Sequence, residues 1–338
     1  MAKTSAPAKV ILFGEHAVVY DKLGISAAIG KYTNVSINSQ DVDDVSIKSN
    51  DLKLENKKNK NEIFETIQQI DKLREEGKIN EIKDMAKKDR LLPSFLVVGK
   101  IMMKYGFRPC SIEIKSEVPK NLGSSASVFN GIAKGLSEFL GLNLDKEKIG
   151  CFANEGDKAV HGTPSGIDAY TIAYGGWNSF RKSEGVKPLD NSLRINLVVV
   201  DSGEPARTGE TVLFIKKQKE ESPSFVNAIM DKLNNISQNG LEALKNNNIK
   251  NIGISMLKYY QELKKLSIST PKLDEIIEIS VKNDFLGAKP TGGWGGGSCI
   301  VLAKDEKQVN EIINIYKNNG FNAFAAKLGV EGVHNKMN

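Results

Sequence analysis

An α+β fold in two domains is predicted, on three observations. The chain has 338 residues, about twice the length of an ordinary domain. Up to about residue 203, short apolar runs of strand length alternate with stretches of helical period. Beyond that point the pattern is mostly helical as far as Gly287, where a glycine-rich stretch and two further strand-like runs follow. The predicted boundary therefore divides residues 1–203 from residues 204–338.

Taken in order, residues 10–13 are an apolar run ended by Gly14, which reads as a buried strand entering a turn. Residues 32–37 alternate and contain Thr33, Val35 and Ile37, a strand pattern, and 45–47 and 52–54 read as short strands of the same sheet. Residues 62–88 are charged, with Ile63, Ile67, Ile70 and Leu73 spaced for one apolar face, and predict a surface helical pair. Pro93 suits the first turn of a helix running to Tyr105. A strand at 110–114, a turn over 119–126 and helices over 124–140 and 145–160 follow. Residues 197–200 form a buried strand; a strand at 299–302, a helix at 307–318 and an alternating strand from Phe321 complete the pattern.

Hydrophobic residues make up 40% and charged residues 26% of the chain, an ordinary globular composition. No run approaches the ~18 apolar residues of a membrane span, and the first residues lack a signal-peptide core, so a cytoplasmic protein with no membrane partner is expected. The three cysteines (Cys110, Cys151, Cys299) are far apart, which argues against a disulfide framework or a zinc site. Three histidines leave little for a His-built metal centre. The net charge of +6 comes from dispersed lysines without interleaved aromatics, so no nucleic-acid face is expected.

Three segments have the makings of chemistry. The first is Pro119-Lys120-Asn121-Leu122-Gly123-Ser124-Ser125-Ala126. A strand, a turn with glycine and two serines opening a helix present free N–H groups and a favourable dipole to an anion. The serine hydroxyls can ligate a phosphate-bound Mg²⁺. Taken alone, such a Gly-Ser-Ser reads first as a helix cap. Neither a Walker-type loop nor a dinucleotide fingerprint occurs. The second segment, from Lys289 to Cys299, holds five glycines between Gly292 and Gly297. It reads as a backbone wall closing over a ligand, with a flexible hinge as the plainer alternative. The third carries Asp157 on a helix ending near Gly162, then turns through Pro164-Ser165-Gly166 to set Asp168 at the end of a loop. A carboxylate there can take the proton of a substrate hydroxyl, and Asp157 can hold Mg²⁺; singly, each reads as a cap or a surface charge.

With the opening stretch Ala6-Pro7-Ala8-Lys9-Val10-Ile11-Leu12-Phe13-Gly14-Glu15-His16-Ala17-Val18-Val19-Tyr20, these segments follow the order seen in the GHMP kinase superfamily. The opening stretch and His161-Gly162-Thr163-Pro164-Ser165-Gly166-Ile167-Asp168 resemble the mevalonate kinase branch most. The resemblance spans residues 6–302. It implies the two-domain GHMP fold, with an N-terminal domain like ribosomal protein S5 and a mostly helical C-terminal one. It also implies phosphorylation of the 5-hydroxyl of (R)-mevalonate by ATP with Mg²⁺, the alternative being a kinase of phosphomevalonate or of a sugar such as galactose. A homodimer is expected on the same ground.

Carried over residue by residue, the resemblance makes Asp168 the catalytic carboxylate and Lys9 its cationic neighbour. Glu15, His16 and Thr208 fall at the substrate; Ser124 and Asp157 fall at the metal. Pro119, Asn121, Leu122, Gly123, Ser124, Ser125 and Ala126 bind ATP, helped by Gly292, Gly293 and Gly295. The chain departs from the family pattern in a phosphate loop two residues shorter, in Asp157 for the usual glutamate, in Ala8 for glycine and in Trp294 for a small residue. A non-catalytic nucleotide-binding regulator would lack Lys9, Asp168 or the metal-binding serine, and all three are here.

Overall fold

The computed structural model describes residues 1–190 and 194–336. The first sheet is built on a long antiparallel pair, β1 (Ala2–Phe13) and β2 (Gly24–Ser39), with Val10 opposite Ala27. Between them a short 3-10 turn, Ala17–Tyr20, follows His16. β3 (Asp44–Ser49) and β4 (Leu54–Asn59) form a hairpin. The strand expected at 52–54 starts only at Leu54, because Lys53 takes φ 52° and its N–H closes a turn on the Asn50 carbonyl.

α1 (Lys60–Glu75) opens with a capping box: the Asn59 side chain accepts from the Glu62 N–H, and Glu62 accepts from the Asn59 N–H. α2 (Ile79–Lys88) follows, and α3 (Leu92–Tyr105) starts with Pro93 in its first turn. Ile63 and Ile67 of α1 sit so close to Gly99 of α3 that a Cβ there would lie 2.1 Å from Ile67 Cδ1. β5 (Cys110–Ser116) inserts between β2, antiparallel, and β3, parallel.

α4 (Ser124–Phe139) crosses β1 and β2, and Gly131 and Gly135 permit that approach: a Cβ at Gly131 would meet Val35 Cγ2 at 2.6 Å. α5 (Lys146–His161), capped by Asp145, and α6 (Ile167–Tyr174) pack beside it. β6 (Trp177–Arg181) pairs with the start of β2 and with β7 (Gly185–Pro188).

The second sheet is antiparallel throughout. β8 (Asn196–Asp201) leads into α7 (Thr208–Glu221), α8 (Pro223–Lys245), α9 (Ile249–Lys264) and α10 (Pro271–Lys282). β9 (Gly287–Thr291), β10 (Ser298–Ala303), α11 (Glu306–Asn318) and β11 (Asn322–Ala326) complete it, in the order β11-β8-β10-β9. A two-residue strand, β12 (His334–Asn335), returns to pair with β1. No helix among the described residues is long and apolar enough to cross a membrane.

One apolar core fills the space between the first sheet and α1, α3, α4 and α5, with Val35, Ile47, Phe95 and Ile132 among its members. A second runs from Val10, Leu12, Phe13 and Ile25 through the second sheet to the helices behind it. β1 thus belongs to both cores. Polar bonds hold its end to the second sheet: Thr291 Oγ1 accepts from the Ile11 N–H (2.9 Å) and donates to the Ile11 carbonyl (3.0 Å). Most of the candidate site residues gather at this seam.

Candidate active site

At the seam lies a cavity of about 220 Å³, lined by β1, the turn after it, the β9–β10 loop and the first turns of α4, α6 and α7. Three helix N-termini therefore face one space, each with unsatisfied N–H groups and the positive end of its dipole. That is a strong setting for an anion.

α4 begins after Gly123, held at φ 82° and ψ 30° with no side chain capping the helix. The serines at 124 and 125 are therefore not caps, and both line the cavity with Ala126. The loop rests on β1: the Lys9 N–H donates to the Leu122 carbonyl at 3.0 Å, and a Cβ at Gly123 would lie 3.0 Å from Lys9 Cγ. Pro119 and Leu122 shape this turn through a bond from the Leu122 N–H to the Pro119 carbonyl. Neither is part of the cavity lining, so the cradle itself is 123–126, with Asn121 at its edge.

Lys9 is only 2% exposed, and its ammonium lies 2.8 Å from Asp168 Oδ1. The Asp168 side chain keeps 36% of its surface, facing the cavity. Its expected place at the end of a loop is corrected: Gly166, at φ 96°, starts α6, and Asp168 stands in the helix's first turn. Asp157 points into the same space from α5 and is 3% exposed. Burial first, and the neighbouring Asp168 second, push its carboxyl well above the ordinary carboxylate range, with Lys9 opposing.

Glu15 and His16 form the other end. Glu15 is fully buried against Lys289 of β9, whose ammonium also donates to the Pro290 carbonyl at 2.7 Å. Burial raises the Glu15 carboxyl and lowers the Lys289 ammonium, and each offsets the other's shift. Tyr259 Oη donates to the Glu15 carbonyl at 3.1 Å and fixes the turn from α9. His16 sits at φ 61° and ψ −40°, a backbone region that costs energy for a non-glycine residue. Burial, then the Lys289 charge, lower its pKa to about 4, so the ring is neutral near pH 7. Glu15 Oε2 has no hydrogen-bond partner, and the His16 ring nitrogens make no full hydrogen bond, with the Gly293 backbone close enough to oppose part of the fall in the ring's pKa. Orphaned polar atoms of this kind, lining a cavity, mark a place for a polar ligand.

The glycine-rich segment is part strand and part wall. Residues 287–291 are β9, and the loop begins at Gly292, which at φ 86° lies beside the Asn121 carbonyl. Gly293 must lack a side chain, since a Cβ there would fall 1.7 Å from Thr208 Oγ1. Both line the cavity with Thr208, whereas Gly295 lies outside it, against Arg207 and Thr211. Asn121 Oδ1 accepts from the Ala206 N–H at 3.2 Å and ties the phosphate loop to the start of α7.

A larger cavity of about 680 Å³ adjoins the first and shares Lys120, Ser124, Ser125 and Thr208 with it. It adds the cations Lys83, Lys87, Arg90 and Arg207. To these, and to Lys289 and His161, the sequence alone gives no role. Lys289 and His161 stood in segments already singled out; Lys83 and Lys87 belong to the stretch 62–88 that reads as a surface helical pair, Arg90 follows it, and only tertiary folding brings them here.

Known proteins share the sequence pattern and the fold. The GHMP kinases N terminal domain matches residues 94–176, and the GHMP kinases C terminal domain matches residues 241–322. A mevalonate kinase of Thermococcus gammatolerans is 31% identical over 315 residues, covering 90% of this chain and 89% of the relative. Among solved structures, Methanococcus jannaschii mevalonate kinase superposes with a TM-score of 0.78 at 26% identity, covering 96% of this chain and 98% of that one. L. major mevalonate kinase in complex with R-mevalonate superposes with a TM-score of 0.76 at 25% identity, covering 96% and 95%.

Proposed function

The chain belongs to the mevalonate kinase family of GHMP kinases, and from that premise we propose that it transfers the γ-phosphoryl group of ATP to the 5-hydroxyl of (R)-mevalonate. The observation that carries the reading is the Lys9–Asp168 pair, 2.8 Å apart, on a cavity ringed by three helix N-termini. The choice of alcohol rests on the mevalonate kinase relatives.

In this reading the nucleotide lies in the larger cavity among its cations, and its terminal phosphates reach the cradle at 123–126. The N–H groups and dipole of α4 offset phosphate charge there, a form of preorganised electrostatic stabilisation. The mevalonate hydroxyl meets Asp168, which accepts its proton as the oxygen attacks phosphorus; Lys9 holds the carboxylate in place and draws on the same oxygen. Neutral His16 donates to, or accepts from, an oxygen of the acid, and Thr208 closes the pocket from the second sheet. Fixing both reactants in one seam supplies much of the rate.

The donor set suits Mg²⁺. No group of three or more His, Cys, Asp or Glu side chains among the described residues is arranged to hold a metal on its own. A hard divalent ion bound by one or two carboxylates together with substrate phosphates is the usual magnesium arrangement. Asp157, buried beside a second carboxylate, gains its charge most readily next to a cation, and the Ser124 hydroxyl lines the same cavity. When bound, the ion neutralises phosphate charge.

The test is an ADP-release assay with Mg²⁺·ATP across mevalonate, phosphomevalonate, galactose and homoserine. Turnover on mevalonate well above the others is expected. No turnover on mevalonate alongside clear turnover on another alcohol would overturn the substrate assignment and leave the reaction class standing.

A further inference from the structure

Trp294 has no role in the reading above, yet it follows Gly293 of the cavity wall and lies buried behind it. It is fully buried and stands at φ 56°, in the left-handed region that a bulky residue enters only when its surroundings hold it there. Its ring lies face to face with Tyr260 at 6.1 Å and 27°, and Tyr260 is anchored by a 2.6 Å bond from its hydroxyl to Asp274. On another side it meets the His16 ring edge-on, at 6.5 Å and 78°. The backbone is tied as well. The Trp294 carbonyl accepts from the Arg207 N–H at 3.1 Å, the residue before Thr208. The Gly293 carbonyl next to it accepts from Thr211 Oγ1 at 2.7 Å, one turn into α7.

One residue thus meets the neutral histidine on one wall and tethers the helix start that carries Thr208 on the other. Its own indole N–H is buried and has no acceptor. A buried orphan donor costs about 1–3 kcal/mol, so packing alone is a poor reason to have tryptophan here: a phenylalanine fills such a core without a stranded N–H. The cost is understandable if the large ring is needed to set the position of something else.

We propose that Trp294 is a positioning residue for the alcohol end of the site: its ring fixes His16 and its carbonyl fixes the start of α7, so that His16 and Thr208 stand at a set separation around a small hydroxy acid. This rests on the function proposed above for the nature of that ligand. Trp294 does not touch the substrate; it acts through His16 and Thr208. Its effect therefore falls on the alcohol and spares the nucleotide, which is held by the cradle at 123–126 and the cations of the larger cavity.

The experiment is steady-state kinetics of Trp294→Phe, alone and combined with His16→Gln, with mevalonate and ATP varied separately. Phenylalanine keeps a ring against Tyr260 but is too short to hold the His16 edge. We expect KM for mevalonate to rise about tenfold, with KM for ATP within about twofold, a split that a general loss of stability does not produce. In the His16→Gln background the same change should add less than about twofold, since the residue through which it acts is gone. Equal rises in both KM values, no rise in either, or fully additive effects would overturn the proposal. A second measurement leaves Trp294 intact. The chain has two tryptophans, so Trp177→Phe makes Trp294 the sole reporter. Its emission should shift when mevalonate is added without nucleotide, and the shift should vanish with His16→Gln; a silent Trp294 contradicts the proposal. If the wild-type enzyme turns over another alcohol of the panel and not mevalonate, the substrate assignment fails, and both measurements are then made with that alcohol.

Discussion

The two ends of the cavity hold their charges in opposite ways. At the phosphate end, Lys9 and Asp168 pair with the aspartate still 36% exposed, so its carboxylate meets incoming groups directly. At the alcohol end, Glu15 and Lys289 pair with both side chains wholly out of solvent, and the atoms left without partners belong to Glu15, His16 and Trp294. The first arrangement suits a group that must exchange a proton within each turnover. The second suits a rigid frame, because breaking a buried pair leaves an uncompensated charge, whereas a partly exposed one is rescued by water. In the proposed function, chemistry and recognition fall to two differently solvated ion pairs, one joining β1 to α6 and the other joining the turn after β1 to β9.

Lys289→Met tests that contrast most severely. It strands the Glu15 carboxylate in the core, and a loss of about 3–5 kcal/mol is expected in urea unfolding at pH 7. Burial raises the Glu15 carboxyl, so its protonated form fits the fold, and the loss should shrink as pH falls. The double variant Glu15→Gln with Lys289→Met should recover most of the stability. Lys9→Met at the other end should cost only about 1 kcal/mol while removing most turnover. Similar stability losses for the two lysines would break the comparison.

Asp157→Asn has a smaller expected effect. The folded pKa of Asp157 is raised, so its contribution to stability is fully present below the unfolded value and is lost as pH rises through the folded value. At pH 8, therefore, the metal-free protein should be stabilised by Asn, by about 2–4 °C in Tm. The same variant should lose the extra Tm that Mg²⁺ gives in the presence of ATP. A metal-free variant less stable than wild type at pH 8 would show that Asp157 is not a strained carboxylate awaiting a cation.

Much of this was legible in the residues. Strands at β1, β2, β5, β8 and β10 and helices α1, α3, α4, α5 and α11 follow from apolar runs, periodicity and caps, although β1 and β2 start at Ala2 and Gly24, well before the segments 10–13 and 32–37 that the pattern marks. The order of the motifs pointed to the kinase family. What escaped was tertiary. α6 is short and starts at a glycine with positive φ, so Asp168 read as loop. Lys289-Pro290-Thr291 read as part of a glycine loop, although all three are buried in β9. Trp294 stood out only as an oddity among glycines, since its neighbours His16, Tyr260 and Arg207 come from three distant parts of the chain. Local pattern reports which residues are free to do chemistry; it does not report which are locked together.

The division of labour stands or falls on Asp168→Asn. The variant keeps the shape of the side chain and removes its charge, and with it both its ability to take a proton and its ion pair with Lys9. Rapid-quench kinetics with Mg²⁺·ATP and mevalonate, together with calorimetric titration of each ligand, should show phosphoryl transfer slowed by about 10³-fold, with both affinities within about threefold of wild type. Transfer near the wild-type rate would contradict the role given to Asp168 and to the Lys9 pair behind it.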